Sequence, residues 1–221
     1  MLDDRVLVHA SAVEVGGELV LVLVDDRSNQ CETVTTNAPG VADRLGERLV
    51  RQLDRPLLSE NQRWADRPAN GGLDWIAFSA VETGLAALSA EAAGIPLSSW
   101  LGGSLRSMDS IVDPDTLGVD GHAVGDASFD EVAAWLPEAS VAWLRVDPRI
   151  WSVPALRRLD AMCRIFQIGM AIELPPGSAA MPIGVAVQEA LPMATLGRGV
   201  EIQRTPAESQ RPVFSIGRAP A

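Results

Sequence analysis

Residues 77–103 read AFSAVETGLAALSAEAAGIPLSSWLGG. Val81, Leu85, Leu88 and Ala92 recur at the spacing of one helical face, Ser79 can serve as an N-cap, and Gly94 followed by Pro96 is a helix stop signal. The pattern predicts a helix over about Ser79–Ala93. Its alanines leave little side chain between its backbone and whatever packs on it.

Upstream, RVLVHASAVEV and ELVLVLVDD flank Gly16–Gly17, and two β-rich runs joined by such a pair predict an antiparallel hairpin. The polar segment RSNQCETVTTNAPG comes next. It leads to a stripe of Val41, Leu45, Leu49 and Leu53 that predicts a helix. DRPANGGLDW (66–75) has loop composition.

Downstream of Gly103 the pattern alternates. Helices are expected at Phe129–Pro137, Pro154–Phe166 and Met181–Leu191, and strands at SVAWLRV, GMAIEL and GVEIQ. Strand–helix alternation builds right-handed βα units on a mainly parallel sheet. The last fifteen or so residues, rich in Pro, Arg and Ser, read as a tail or an edge extension.

The run Ala80-Val81-Glu82, Leu85, Gly94-Ile95-Pro96-Leu97 and Leu101-Gly102-Gly103 resembles the end of the N-terminal capping domain of the enolase superfamily, in its mandelate racemase, muconate-lactonizing and o-succinylbenzoate synthase branch. The hairpin, Glu32 in QCET and the helix after it fit the same cap. The resemblance implies an α+β capping domain over 1–105, with C-terminal elements packing on it, followed over 106–221 by a (β/α) barrel remnant and a tail. A complete barrel of this type takes roughly 250 residues. Because 118 residues follow Gly103, an incomplete TIM-type α/β barrel is expected.

On that resemblance the reaction is removal of a proton next to a carboxylate, with the enediolate held on Mg²⁺. Asp126 falls on a metal-ligand acid, Arg145 on the catalytic lysine and Ile183–Pro192 on a late barrel helix. A second mapping makes WLRV an earlier lysine-bearing strand and Glu173 the first metal acid. Arg145 and Glu173 are therefore the candidate catalytic residues, Arg145 also the candidate substrate clamp, and Asp126 the candidate metal ligand. Each has a structural alternative: Asp126 as a cap of the following helix, Arg145 as an ion pair beside Asp147, Glu173 as a solvated acid at a strand end. His122 reads as a loop histidine and His9 as part of the hairpin.

Composition restricts the chemistry. All eighteen basic residues are arginine, tyrosine is absent, and the only histidines are His9 and His122. Arginine does not deprotonate in the working pH range, so it cannot replace a basic lysine, although it can clamp a carboxylate bidentately. With one aligned metal acid the Mg²⁺ ligand set is incomplete and no cofactor is expected. PPGSAAM at 175–181 lacks the lysine and spacing of a phosphate loop. A net charge of −11 disfavours nucleic acid and anionic membranes, the acidic N-terminus is unlike a signal peptide, and the scattered Cys31 and Cys163 suggest neither zinc nor a disulfide framework. A cytoplasmic protein is expected, possessing a small carboxylate ligand at most. An open half-barrel would expose strand edges, so a homodimer or a covering partner protein is expected as well. The functional expectation is a non-catalytic binding or assembly protein of enolase type, against an alternative metal-independent racemase, dehydrating synthase or cyclase acting on a small carboxylate.

Overall fold

The Gly16–Gly17 turn joins β1 (Leu7–Val15) to β2 (Glu18–Asp25), and both glycines have positive φ, 57° and 79°. That conformation matches the right-handed twist of paired strands and is available to glycine at little cost. The computed structural model describes residues 5–53, 56, 59–102, 121–196 and 211–217. The polar segment after the hairpin is itself a strand, β3 (Gln30–Thr36), pairing antiparallel with β2. Its β-branched Thr33, Val34 and Thr35 are buried while Gln30 and Glu32 are exposed, so strand propensity prevails over polar composition.

α1 (Val41–Gln52) buries Val41, Leu45 and Leu49 as its stripe requires. An unforeseen short helix, α2 (Glu60–Ala65), starts at Ser59, whose hydroxyl accepts from the Gln62 amide in a capping box. The helix read from the opening stretch is longer than its signals suggest: α3 runs Leu73–Ala93, and Ser79 lies buried inside it rather than capping it. Its N-cap is Gly72, which offers no side chain to recognise, whereas Gly94 ends it in the left-handed conformation as expected. Fifteen of its 21 residues are buried, because α3 is packed on several sides. Leu85 and Leu88 join Leu7, Leu21, Leu23, Leu45 and Leu49 in the cap core. About two to four turns earlier, Trp75 and Phe78 join Trp151, Leu156, Met170 and Ile172 in the core of the second half. By length and apolarity α3 could cross a membrane, but here its apolar surface fills two protein cores. At Gly84 an added Cβ would stand 2.6 Å from Leu23 Cδ1 and 3.2 Å from Thr33 Cγ2, so the missing side chain sets how closely helix and sheet approach.

After α4 (Leu97–Trp100), the second half is a parallel sheet of β4 (Gly121–Ala123), β5 (Trp143–Val146), β6 (Gly169–Ile172) and β7 (Ala194–Leu196), in that spatial order. α5 (Phe129–Trp135), α6 (Val153–Phe166) and α7 (Met181–Ala190) connect them. Leu144, Val146, Met170 and Ile172 pack with these helices. The alternate residues Trp143 and Arg145 are half-buried, which places them on the sheet's other face. Trp143 lies over Gly169, where a Cβ would come within 2.4 Å of its ring. Thus half the strands of an eight-stranded barrel are present among the described residues, wound as successive βα units. His122 is on β4 rather than in a loop, its ring edge-on to Trp135 at 4.8 Å. The expected strand GVEIQ lies outside the described residues, and β7 just before it was not foreseen. The tail contributes β8 (Arg211–Gly217), which pairs antiparallel with β1 and completes the cap sheet in the order β3-β2-β1-β8.

Candidate functional site

Three carboxylates follow the ends of three successive parallel strands: Asp126 after β4, Asp147 directly after β5 and Glu173 directly after β6. Ligands bind at this edge of an α/β sheet, where loops and strand ends converge. Arg145, on β5, donates from Nε to Glu173 Oε1 at 2.6 Å, and the two side chains remain 42% and 41% exposed. The two residues singled out separately from the sequence are therefore one pair, and the ion pair expected between Arg145 and Asp147 is replaced by this one.

Asp147 belongs to a second arginine. Arg149 bonds its carboxylate from the backbone amide at 2.8 Å, from Nε at 3.0 Å and from Nη2 at 2.6 Å. The other arm of the guanidinium reaches across to the cap, where Nη1 meets Glu18 Oε1 at 3.0 Å. Glu18 opens β2 immediately after the glycine turn, and the hairpin thus carries a carboxylate to the strand ends. There it also accepts from Ser178 Oγ at 2.6 Å and from the Ala179 amide at 2.8 Å. Thr35 Oγ1 donates to the Arg149 carbonyl at 2.8 Å. Burial works against the charge of Arg149, yet the bonds and charges of Asp147 and Glu18 outweigh it and hold the guanidinium above its ordinary pKa.

No protein-family model and no curated protein matches the sequence. Solved structures do resemble it in shape. An enolase of the mandelate racemase subgroup from Agrobacterium tumefaciens superposes with a TM-score of 0.66 at 10% identity, over 86% of this chain and 86% of that one. An isomerase from Streptomyces coelicolor A3(2) gives 0.65 at 13% identity, over 91% and 89%. A member of the enolase superfamily from Salmonella Typhimurium gives 0.67 at 8% identity, over 96% and 95%. The fold is that of the enolase superfamily. At such identities the likeness concerns architecture: an enolase-type α+β cap and an incomplete α/β barrel.

An enolase-type fold implies Mg²⁺ at the strand ends, and among the described residues the strand-end acids do not fit it. Both oxygens of Asp147 are taken by Arg149, and Glu173 Oε1 is taken by Arg145. Asp126 is exposed in the turn after β4, and its backbone carbonyl accepts from the Gly72 amide at 2.8 Å. Among the described residues no three His, Cys, Asp or Glu side chains are grouped to hold a metal ion. Nor does Asp126 cap the helix that follows. Ser128 does so, in a capping box with Glu131, whose carboxyl is held below its ordinary pKa chiefly by the hydrogen bond from the Ser128 amide. The sequence reading missed Glu18, Arg149 and Ser178. Nothing local marks them, since the Glu18–Arg149 contact joins positions 131 apart.

Proposed function

We propose that this chain is a binding or assembly protein of enolase-type fold, without metal-dependent proton abstraction. The observation that carries the reading is the pairing of strand-end acids with arginines: Glu173 with Arg145, and Asp147 with Arg149. A carboxylate neutralised by a permanent cation is a poor metal ligand and a weak base, and no lysine in the chain could take over the proton transfer. The assembly half of the proposal rests on the four-stranded parallel sheet, whose outer strands β4 and β7 each have one neighbour among the described residues. Unpaired strand edges invite pairing, and a second copy of this chain is the proposed partner. The buried free thiols of Cys31 and Cys163 fit a reducing compartment such as the cytoplasm.

Proton NMR of a panel of carboxylic acids in D₂O, with the full chain and Mg²⁺, tests the first half. No exchange of the α-proton above buffer is expected, and exchange that scales with protein concentration would overturn it. Light scattering after gel filtration tests the second, with a dimer mass expected; a monomer at all concentrations removes assembly.

A second reading is favoured by the geometry of Arg145 and Glu173 alone. Their 2.6 Å pair is nearly half open to solvent at a strand end, so a substrate carboxylate could take over the guanidinium and release Glu173 as an acid or base. This would be metal-independent chemistry on a small carboxylate. Its signature is α-proton exchange without Mg²⁺ that disappears in Glu173→Gln; exchange persisting in that variant sinks it.

A further inference from the structure

Away from the strand ends, a cavity of about 630 Å³ opens between α1, α2 and α3. Its volume is within the range of small-molecule sites. Four arginines, Arg48, Arg51, Arg63 and Arg67, line it with two acids, Asp66 and Glu82, a local excess of positive charge in a chain of net charge −11. Two of the arginines are engaged. Arg63 Nε holds Glu82 Oε1 at 2.8 Å, and Arg67 Nη2 holds Asp130 Oδ1 at 2.7 Å. Neither Arg48 nor Arg51 has a carboxylate partner among the described residues; Arg51 is exposed, whereas Arg48 is half-buried with its guanidinium over the Phe78 ring at 5.4 Å. Burial pulls the pKa of Arg48 below the ordinary arginine value, more than the charges of Asp74, Glu82 and Asp66 restore.

The same cavity wall holds a second unmet group. Glu82 is 2% exposed, and its Oε2 has no hydrogen-bond partner. A buried polar atom left without a partner is costly, and native structures rarely keep one without use. Phe78, Val81 and Pro56 supply an apolar wall beside these polar groups. An unpaired guanidinium, an unpaired carboxylate oxygen and an aromatic face define the complement of a single ligand class.

We infer that this cavity binds a small organic carboxylate that carries a hydrogen-bond donor on an apolar body. The carboxylate takes the Arg48 fork, the body lies along Phe78 and Val81, and the donor meets Glu82 Oε2. A planar carboxylate fits one guanidinium bidentately. Of the two lining arginines unpaired among the described residues, Arg48 is half-buried while Arg51 is exposed and water-screened. A dianionic phosphate would bring more charge than half-buried Arg48 offsets beside Glu82 and Asp66. The site is separate from Arg145 and Glu173 and does not depend on what they do.

The test is NMR titration of the isotope-labelled full chain, reading arginine Nε–Hε and backbone amide signals, with 3-hydroxybenzoate, benzoate, phenyl phosphate and chloride. Expected are saturable shifts at Arg48, Phe78 and Val81, tighter binding of 3-hydroxybenzoate than of benzoate, and weaker binding of phenyl phosphate than of either. Arg48→Met should weaken 3-hydroxybenzoate by about tenfold or more, as loss of a charge-assisted pair implies. Should Arg48→Met fail to fold, Arg48→Lys keeps the charge, loses the fork and should weaken binding several-fold. The inference is overturned by the absence of saturable shifts at Arg48 into the tens of millimolar, by equal shifts with chloride, by preference for phenyl phosphate, or by a variant that titrates like the wild type.

Discussion

Arg145 and Arg149 stand four residues apart, at the end of the same strand, and each holds a carboxylate. Arg145 meets Glu173 at 2.6 Å with both side chains more than two-fifths exposed. Arg149 bridges Asp147 and Glu18 with side chains only 18%, 20% and 7% exposed. By distance the pairs look alike. By burial they differ: water screens the first, while the second is largely withdrawn from water and depends mainly on protein partners. Arg149 is thereby a fastener between the cap hairpin and the half-barrel, and Arg145 is a group that a ligand could recruit.

The comparison can be broken by substitution. Arg149→Met should have the largest effect, lowering unfolding stability by about 3–5 kcal/mol, because buried Glu18 and partly buried Asp147 are left without a counter-charge. Urea denaturation measures it, and a loss below that of Arg145→Gln would erase the distinction. Gly84→Val probes the other tie between helix and sheet, since its Cβ would overlap Leu23. An overpacking cost of about 1–3 kcal/mol is expected, and a midpoint equal to wild type would show that the sheet gives way freely. Arg145→Gln should change stability by no more than about 1 kcal/mol after solvent screening. A larger loss would move this pair into the structural class. No chemical change at all is expected when the folded chain is treated with iodoacetamide at pH 8. Burial pushes the thiols of Cys31 and Cys163 up to about 12, so both stay protonated and covered. Mass spectrometry would expose rapid labelling if these cores open readily.

Local signals carried much of the architecture. The double-glycine turn marks the hairpin, Gly94-Ile95-Pro96 ends α3, and the Val41, Leu45, Leu49 stripe draws α1. Where a signal was weak, tertiary context overrode it. β3 hides in threonines, whose hydroxyls read as loop. The start of α3 hides because Gly72 caps it without a side chain, which made Ser79 look like the beginning. β4 and β7 have three residues each, too few for a period-two pattern to emerge. For the site, the sequence named Arg145 and Glu173 but could not join them, because 28 positions separate them and only the β5–β6 pairing brings them together. The arginine-lined cavity was equally hidden. It depends on the angles between three helices, one of which no periodicity announced.

The pairing of β8 with β1 has a consequence in time. His9 and Ser215, whose side chains meet at 3.1 Å, are 206 residues apart. As the chain leaves the ribosome, the outer edge of β1 must wait for the roughly two hundred intervening residues to be made before its neighbour arrives. Throughout that interval it is an open template for the wrong strand, including the same strand of another nascent copy. Successful maturation is therefore a race between β8 and a stranger. Slowed elongation or removal of residues 211–217 should tip that race towards aggregation in the cell.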